Sequence, residues 1–202
     1  MNDETRSTIA RAALAVARHI HDGGYEAVII SGGSHQLSQS LVALGWGVLY
    51  PDEPIVRQFV LDREGNRLLY KSHAPDAYPT DFTVWADAHV PGLANAKDAR
   101  LCFVDDFAIG GEKHRGVRAA LELLGFADVG YAYFAAKEDT ELDDAFVGIR
   151  SVEAVAELRH LAERIQGKED PAEILNDIHP EAVRLRAEAL GELRDIGREM
   201  RR

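Results

Sequence analysis

Apolar residues return at helical spacing from residue 5 to 21. Ile9, Ala13, Val16, Ala17 and Ile20 share one face, and Gly23-Gly24 follow as a stop. Ala27 to Ile30 is a short apolar run rich in β-branched residues, the pattern of a buried strand. It ends in Ser31-Gly32-Gly33-Ser34. A second helical pattern begins at once at His35, with Leu37, Leu41 and Leu44 on one face and Gly45 as its predicted stop. The period then changes. Val56 to Leu61 and Arg67 to Lys71 flank Asp62-Arg-Glu-Gly-Asn66, which predicts a β-hairpin with a glycine-containing turn. Pro75, Pro79 and Pro91 predict irregular structure around one strand, Phe82 to Ala86.

Alternation resumes at Leu101 to Val104, an apolar strand that runs into Asp105-Asp106 and then Phe107-Ala-Ile-Gly110-Gly111. A helix follows with Val117, Ala120, Leu121 and Leu124 inward and Gly125 as its stop; Val129 to Phe134 and Ala145 to Ile149 read as strands. Strands alternating with helices predict a parallel sheet covered on both faces, an α/β architecture. After Arg150 the pattern is helical throughout. Ser151 is a predicted N-cap, Gly167 a stop, Asp170-Pro171-Ala172-Glu173 a helix start, and Pro180 the opening of a last helix. The expected organisation is an α/β domain over 1–150 and a helical C-terminal extension over 151–202.

Composition narrows the function classes. With 202 residues, 46% hydrophobic and 28% charged, the chain can bury a real core and is neither disordered nor fibrous. No apolar run approaches the ~18 residues of a membrane span. The polar, acidic start MNDETR and the single cysteine, Cys102, lead to an expected cytoplasmic location with no membrane partner. The net charge of −11 argues against nucleic acid as a partner, because such binding draws on clustered lysine and arginine. Most of that acidity falls in residues 1–150, with 14 basic against 22 acidic side chains. An anionic ligand there would need backbone amides, a metal ion or a few placed cations. The histidines show no metal-ligand spacing.

Two segments bear chemistry, both where parallel sheets place ligands, at the carboxyl ends of strands. In residues 101–121 a strand delivers two adjacent carboxylates, and a glycine loop leads into a helix N-terminus. Amides there favour an anion such as phosphate, while the carboxylates suit sugar hydroxyls or magnesium through water. A solvated strand end is the other reading of the acid pair. A phosphohydrolase would want its two acids separated by one residue, which this pair is not.

The run Phe103-Val-Asp-Asp-Phe-Ala-Ile-Gly-Gly resembles the phosphoribosyl-pyrophosphate loop of type I phosphoribosyltransferases. The resemblance implies a phosphoribosyltransferase-like sheet with a β-hairpin insertion. It implies that Asp105 and Asp106 are catalytic and face the ribose hydroxyls, with Mg2+ held through water. Ile109, Gly110, Gly111, Glu112 and Lys113 would then wrap the phosphate of the phosphoribosyl group, and Ser31, Gly32, Gly33, Ser34 and Lys71 would meet pyrophosphate. Arg57, Arg63 and Arg67 are further cations of the expected hairpin, and Phe107 is the candidate for stacking on a base. The implied reaction transfers phosphoribose to a nitrogenous base and releases pyrophosphate. The partner is then phosphoribosyl pyrophosphate or a nucleotide, and the apolar stripes of the tail offer a surface for a homodimer. The sequence departs from the family loop in three places: one residue fewer before the double glycine, Ile109 before it, and Glu112 after it, both where the family has hydroxyl residues. These departures keep a second reading open, a non-catalytic nucleotide- or phosphosugar-binding module in regulation or assembly.

Overall fold

The structure is a computed structural model that describes residues 1–31, 35–71 and 79–199. Helix α1 (Asp3–Asp22) starts where Asn2 Oδ1 accepts the Thr5 N–H at 2.8 Å, and it ends at Gly23, followed by Gly24 at φ +64°. Strand β1 (Ala27–Ile30) is followed by α2 (His35–Leu49), β2 (Arg57–Val60), α3 (Arg63–Lys71) and α4 (Pro79–His89). A short 3-10 turn, Ala94–Ala96, precedes β3 (Arg100–Ala108), α5 (Gly111–Leu123), β4 (Asp128–Ala136) and β5 (Ala145–Arg150). The chain closes with α6 (Val152–Gln166) and α7 (Pro171–Glu199). Ser151 caps α6 through the Ala154 N–H, and Asp170 caps the start of α7 through the Ala172 N–H.

The five strands form one parallel sheet in the order β2-β1-β3-β4-β5, so the α/β expectation holds at this level. Each face has its own core. Helices α1, α2, α6 and α7 cover one, around Val28, Ile30, Val104 and Phe134. Helices α3, α4 and α5 cover the other, around Ile29, Phe59, Phe103 and Tyr133. The residues of α6 and the first half of α7 that are buried, from Ala154 to Ala182, belong to the same core as the sheet. The order places a switch point between β1 and β3: the chain leaves β1 toward the α2 face and leaves β3 toward the α5 face.

Four expectations fail, each for a physical reason. Residues 56–71 are not a hairpin. Strand β2 pairs parallel with β1, and Asp62 then starts a helix, accepting the Gly65 N–H at 2.8 Å. Gly65 packs face-on against the Trp85 ring, where a Cβ would collide. Phe82 to Ala86 lies within α4, and the burial of Phe82, Trp85 and Ala86 is helical in period. Gly45 does not stop α2. It lies against the Ala13 carbonyl of α1, so it serves close helix–helix approach. Pro180 lies inside α7 rather than opening a helix. A proline there forgoes a hydrogen bond and costs about 3 kcal/mol, but Ile178 and Ala182 on either side are fully buried against the α1/α2 core and hold the helix on course.

Candidate functional site

Strands β1 and β3 end at different heights. Their ladder stops at Ile30–Val104, whereas β3 and β4 stay paired to Ala108–Ala136. Those four extra residues raise a wall of about 13 Å beside the end of β1. At the foot of the wall the Ser31 N–H donates to the Val104 carbonyl at 2.8 Å. The Ser31 hydroxyl donates to Asn66 Oδ1 in the first turn of α3, and Asn66 Nδ2 donates to the Leu61 carbonyl at 3.1 Å. Gly32, Gly33 and Ser34 of the expected pyrophosphate turn lie outside the described residues.

Within the wall the sheet is kinked. The ladder pairs Asp105 with Tyr133 and Phe107 with Ala135, and it skips the row of Asp106, Phe134 and Gly148 across three strands. The in-out alternation slips by one residue there: Phe103 faces the α5 side and Phe107 the α2 side, as do Tyr133 and Ala135. A Cβ on Gly148 would sit 2.9 Å from the Phe134 carbonyl oxygen, so this glycine lets the row close up. The amides released by the kink are taken by the acids. Asp105 Oδ1 accepts the Asp106 N–H at 3.0 Å, and Asp106 Oδ1 accepts the Phe107 N–H at 2.9 Å.

The acid pair is therefore not a solvated strand end. Asp105 is 0% and Asp106 1% exposed. Asp105 Oδ2 has Lys113 as its partner, an ammonium 2.6 Å away whose approach lies outside hydrogen-bond geometry. Asp106 Oδ2 is buried with no hydrogen-bond partner. Burial, with Asp105 beside it, pushes the Asp106 carboxyl up to about 8 against the pull of Lys113, so it holds a proton at neutral pH. For Lys113, burial pulls the ammonium down, and its neighbours, Asp105 first among them, more than reverse it.

A cavity of about 250 Å³ opens beside these groups, between the end of β3 and the first turn of α5. Asp106, Phe107, Ile109, Lys113, His114 and Tyr133 are among its walls. Gly110 precedes α5 in extended backbone and caps it with no side chain, so the first amides of the helix are left without a side-chain acceptor. Gly111 is held differently: its Cβ position is 2.6 Å from the Glu141 carbonyl oxygen, in the connection between β4 and β5. The Ile109 carbonyl accepts from the Thr140 hydroxyl at 3.2 Å. Glu112 stands in the first turn of α5, and Lys71 is exposed on the last turn of α3. Arg57 lies over the Phe59 ring and donates to the Pro91 carbonyl, and Arg67 is paired with Glu64.

His114 and Tyr133 are site residues that the sequence pattern did not single out. His114 Nε2 lies 2.9 Å from the Asp143 carbonyl and so carries the proton, which leaves Nδ1 to accept from the Tyr133 hydroxyl at 3.2 Å. Burial lowers the His114 imidazole and raises the Tyr133 phenol, so both are neutral near pH 7. Their signal in sequence is a tyrosine on a buried strand and a histidine one turn into a helix, which is too common to be informative.

The resemblance assigns Asp105 and Asp106 to magnesium through water. In this structure Asp105 is paired with Lys113, and among the described residues no group of three or more His, Cys, Asp or Glu is placed to hold a metal. A second hollow, of about 280 Å³, lies between α5 and β4 beside Phe126 and Tyr131, where Arg118 is paired with Asp144. Among the described residues no helix is long and apolar enough to cross a membrane. Comparison with known proteins finds no family model that matches this sequence and no curated protein that aligns with it significantly.

Proposed function

We propose that this chain is a phosphoribosyltransferase-like protein that binds phosphoribosyl pyrophosphate, or a nucleotide, in the crevice between the carboxyl ends of β1 and β3. The observation that carries the reading is the switch point itself. Ser31 closes the end of β1 against Val104 of β3, the end of β3 leads into an uncapped helix N-terminus, and a cavity with Asp106 and Lys113 in its wall opens there. In this reading the amides of Ile109 to Lys113 take the phosphate and the acids address the ribose hydroxyls. Ser31 to Ser34, with Lys71, take the pyrophosphate, and magnesium enters only as the counter-ion that pyrophosphate brings. Transfer would form a bond from a base nitrogen to the ribose C1 and break the bond from C1 to the pyrophosphate oxygen. The chain's own part is to orient the ribose and to hold the leaving group's charge.

A second reading, binding without turnover, is favoured by one observation. Both Oδ1 atoms are committed to backbone amides, and Asp105 Oδ2 faces Lys113. Calorimetric titration with phosphoribosyl pyrophosphate in magnesium buffer, followed by a pyrophosphate-release assay with a mixture of purine and pyrimidine bases, separates the two. Saturable heat with release supports transfer, and heat without release supports the binding module. No heat removes both.

A further inference from the structure

We infer that Lys113 is a latch on this site: its ammonium is held by Asp105 while the crevice is empty, and an arriving phosphate takes it over and frees the Asp105 carboxylate for the ligand's hydroxyls. The inference rests on the reading above, because it concerns how that same site recognises a phosphorylated sugar.

Four observations carry it. Lys113 is the third residue of α5, so its ammonium and the uncapped amides of that helix serve one space. Its side chain is 46% exposed while its partner is 0% exposed, so the cation can leave and the carboxylate cannot. Asp106, which lines the cavity beside it, carries a buried carboxyl oxygen without a hydrogen-bond partner, Oδ2. The third observation matters most: a protein rarely leaves a buried polar atom unmet unless something else is to meet it. Finally, Asp105 holds its backbone partner through Oδ1 alone, so losing Lys113 from Oδ2 does not undo the kink.

The exchange follows from charge. A lysine ammonium carries three donors, and a phosphate dianion on a helix N-terminus offers it more charge than one carboxylate does. Taking Lys113 away leaves Asp105 buried and charged, which is unfavourable unless hydroxyls donate to it. A neutral sugar cannot draw off the lysine, and a bare anion leaves the carboxylate unmet. The latch therefore selects ligands that carry both a phosphate and vicinal hydroxyls.

The test reads the sign of an effect on a minimal probe. Inorganic phosphate is titrated into the full chain by NMR, for wild type, Asp105→Asn and Lys113→Gln. Asparagine keeps the Oδ1 acceptor but no longer holds the cation, so Asp105→Asn should bind phosphate about ten-fold more tightly than wild type. Lys113→Gln should bind it about ten-fold more weakly, and the double variant should match Lys113→Gln. Unchanged or weaker phosphate binding in Asp105→Asn overturns the latch, as does unchanged binding in Lys113→Gln; the double variant, which leaves no buried unpaired carboxylate, reads the loss of the lysine where Lys113→Gln alone is destabilised. Failure of every form to bind phosphate also overturns it. If phosphate behaves as expected but phosphoribosyl pyrophosphate binds no tighter than phosphate, the latch stands and the phosphoribosyl reading falls.

Discussion

The two neighbouring strands at the crevice, β1 and β3, solve the same problem in opposite ways. Strand β1 stops flush. Its last polar group, Ser31, is buried and fully used, with its amide on Val104 and its hydroxyl on Asn66. Strand β3 overshoots by four residues and buries two acids in the overshoot, one paired with an exposed lysine and one with an oxygen left bare. The difference separates scaffold from site. Where polar atoms are satisfied the structure is settled, and at the end of β3 buried carboxyl oxygens stay unmet.

The comparison can be broken or sharpened by substitution. The largest effect is expected at Asp106. Its carboxyl is raised to about 8, above the ~3.9 of an unfolded aspartate, so between about pH 4 and pH 8 the folded chain holds a proton that the unfolded chain has lost. Stability should fall as pH rises through that window and level off above it. Asp106→Asn keeps the acceptor for the Phe107 N–H and removes the titration. The difference in unfolding free energy between pH 5 and pH 9 should shrink by roughly 3 kcal/mol, as read by urea denaturation. A variant with the wild-type slope would place the proton elsewhere.

The next effect separates two adjacent glycines. Gly111→Ala drives a Cβ into the Glu141 carbonyl and should cost about 2 kcal/mol, whereas Gly110→Ala meets open space in extended backbone and should stay within about 0.5 kcal/mol. Equal thermal midpoints for the two would contradict the anchoring of α5 by the β4–β5 connection. The smallest effect belongs to β1: Ser31→Ala loses one hydrogen bond to Asn66 and should cost about 1 kcal/mol, with no pH dependence of its own.

Much of this was legible from residue pattern. The alternation of apolar strands and helical stripes carried the α/β sheet, and the acids, the glycines and the helix start at the end of β3 marked the candidate site. What was not legible was set by distant partners. Asp62-Arg-Glu-Gly-Asn66 looks like a turn until Asp62 is seen capping a helix and Gly65 lying under Trp85. Gly45 looks like a stop because the residue it makes room for, Ala13, is 32 positions away on another helix. The burial of Asp105 and Asp106 depends on a kink shared with Phe134 and Gly148, and no local window spans three strands. Lys113 was expected in the loop that wraps a phosphate, and its pairing back to Asp105 follows from only two residues separating β3 from α5, which local pattern does not reveal.

The central claim is that the crevice between β1 and β3 is where this chain meets a phosphorylated ligand. Amide NMR mapping of the full chain titrated with phosphoribosyl pyrophosphate in magnesium buffer tests it directly. The account predicts saturable shifts concentrated on the amides of Ser31 and of Gly110 to Lys113, with Asp106 and Phe107 following. Shifts centred instead on the hollow at Arg118 and Tyr131, or no shifts at all, would contradict it.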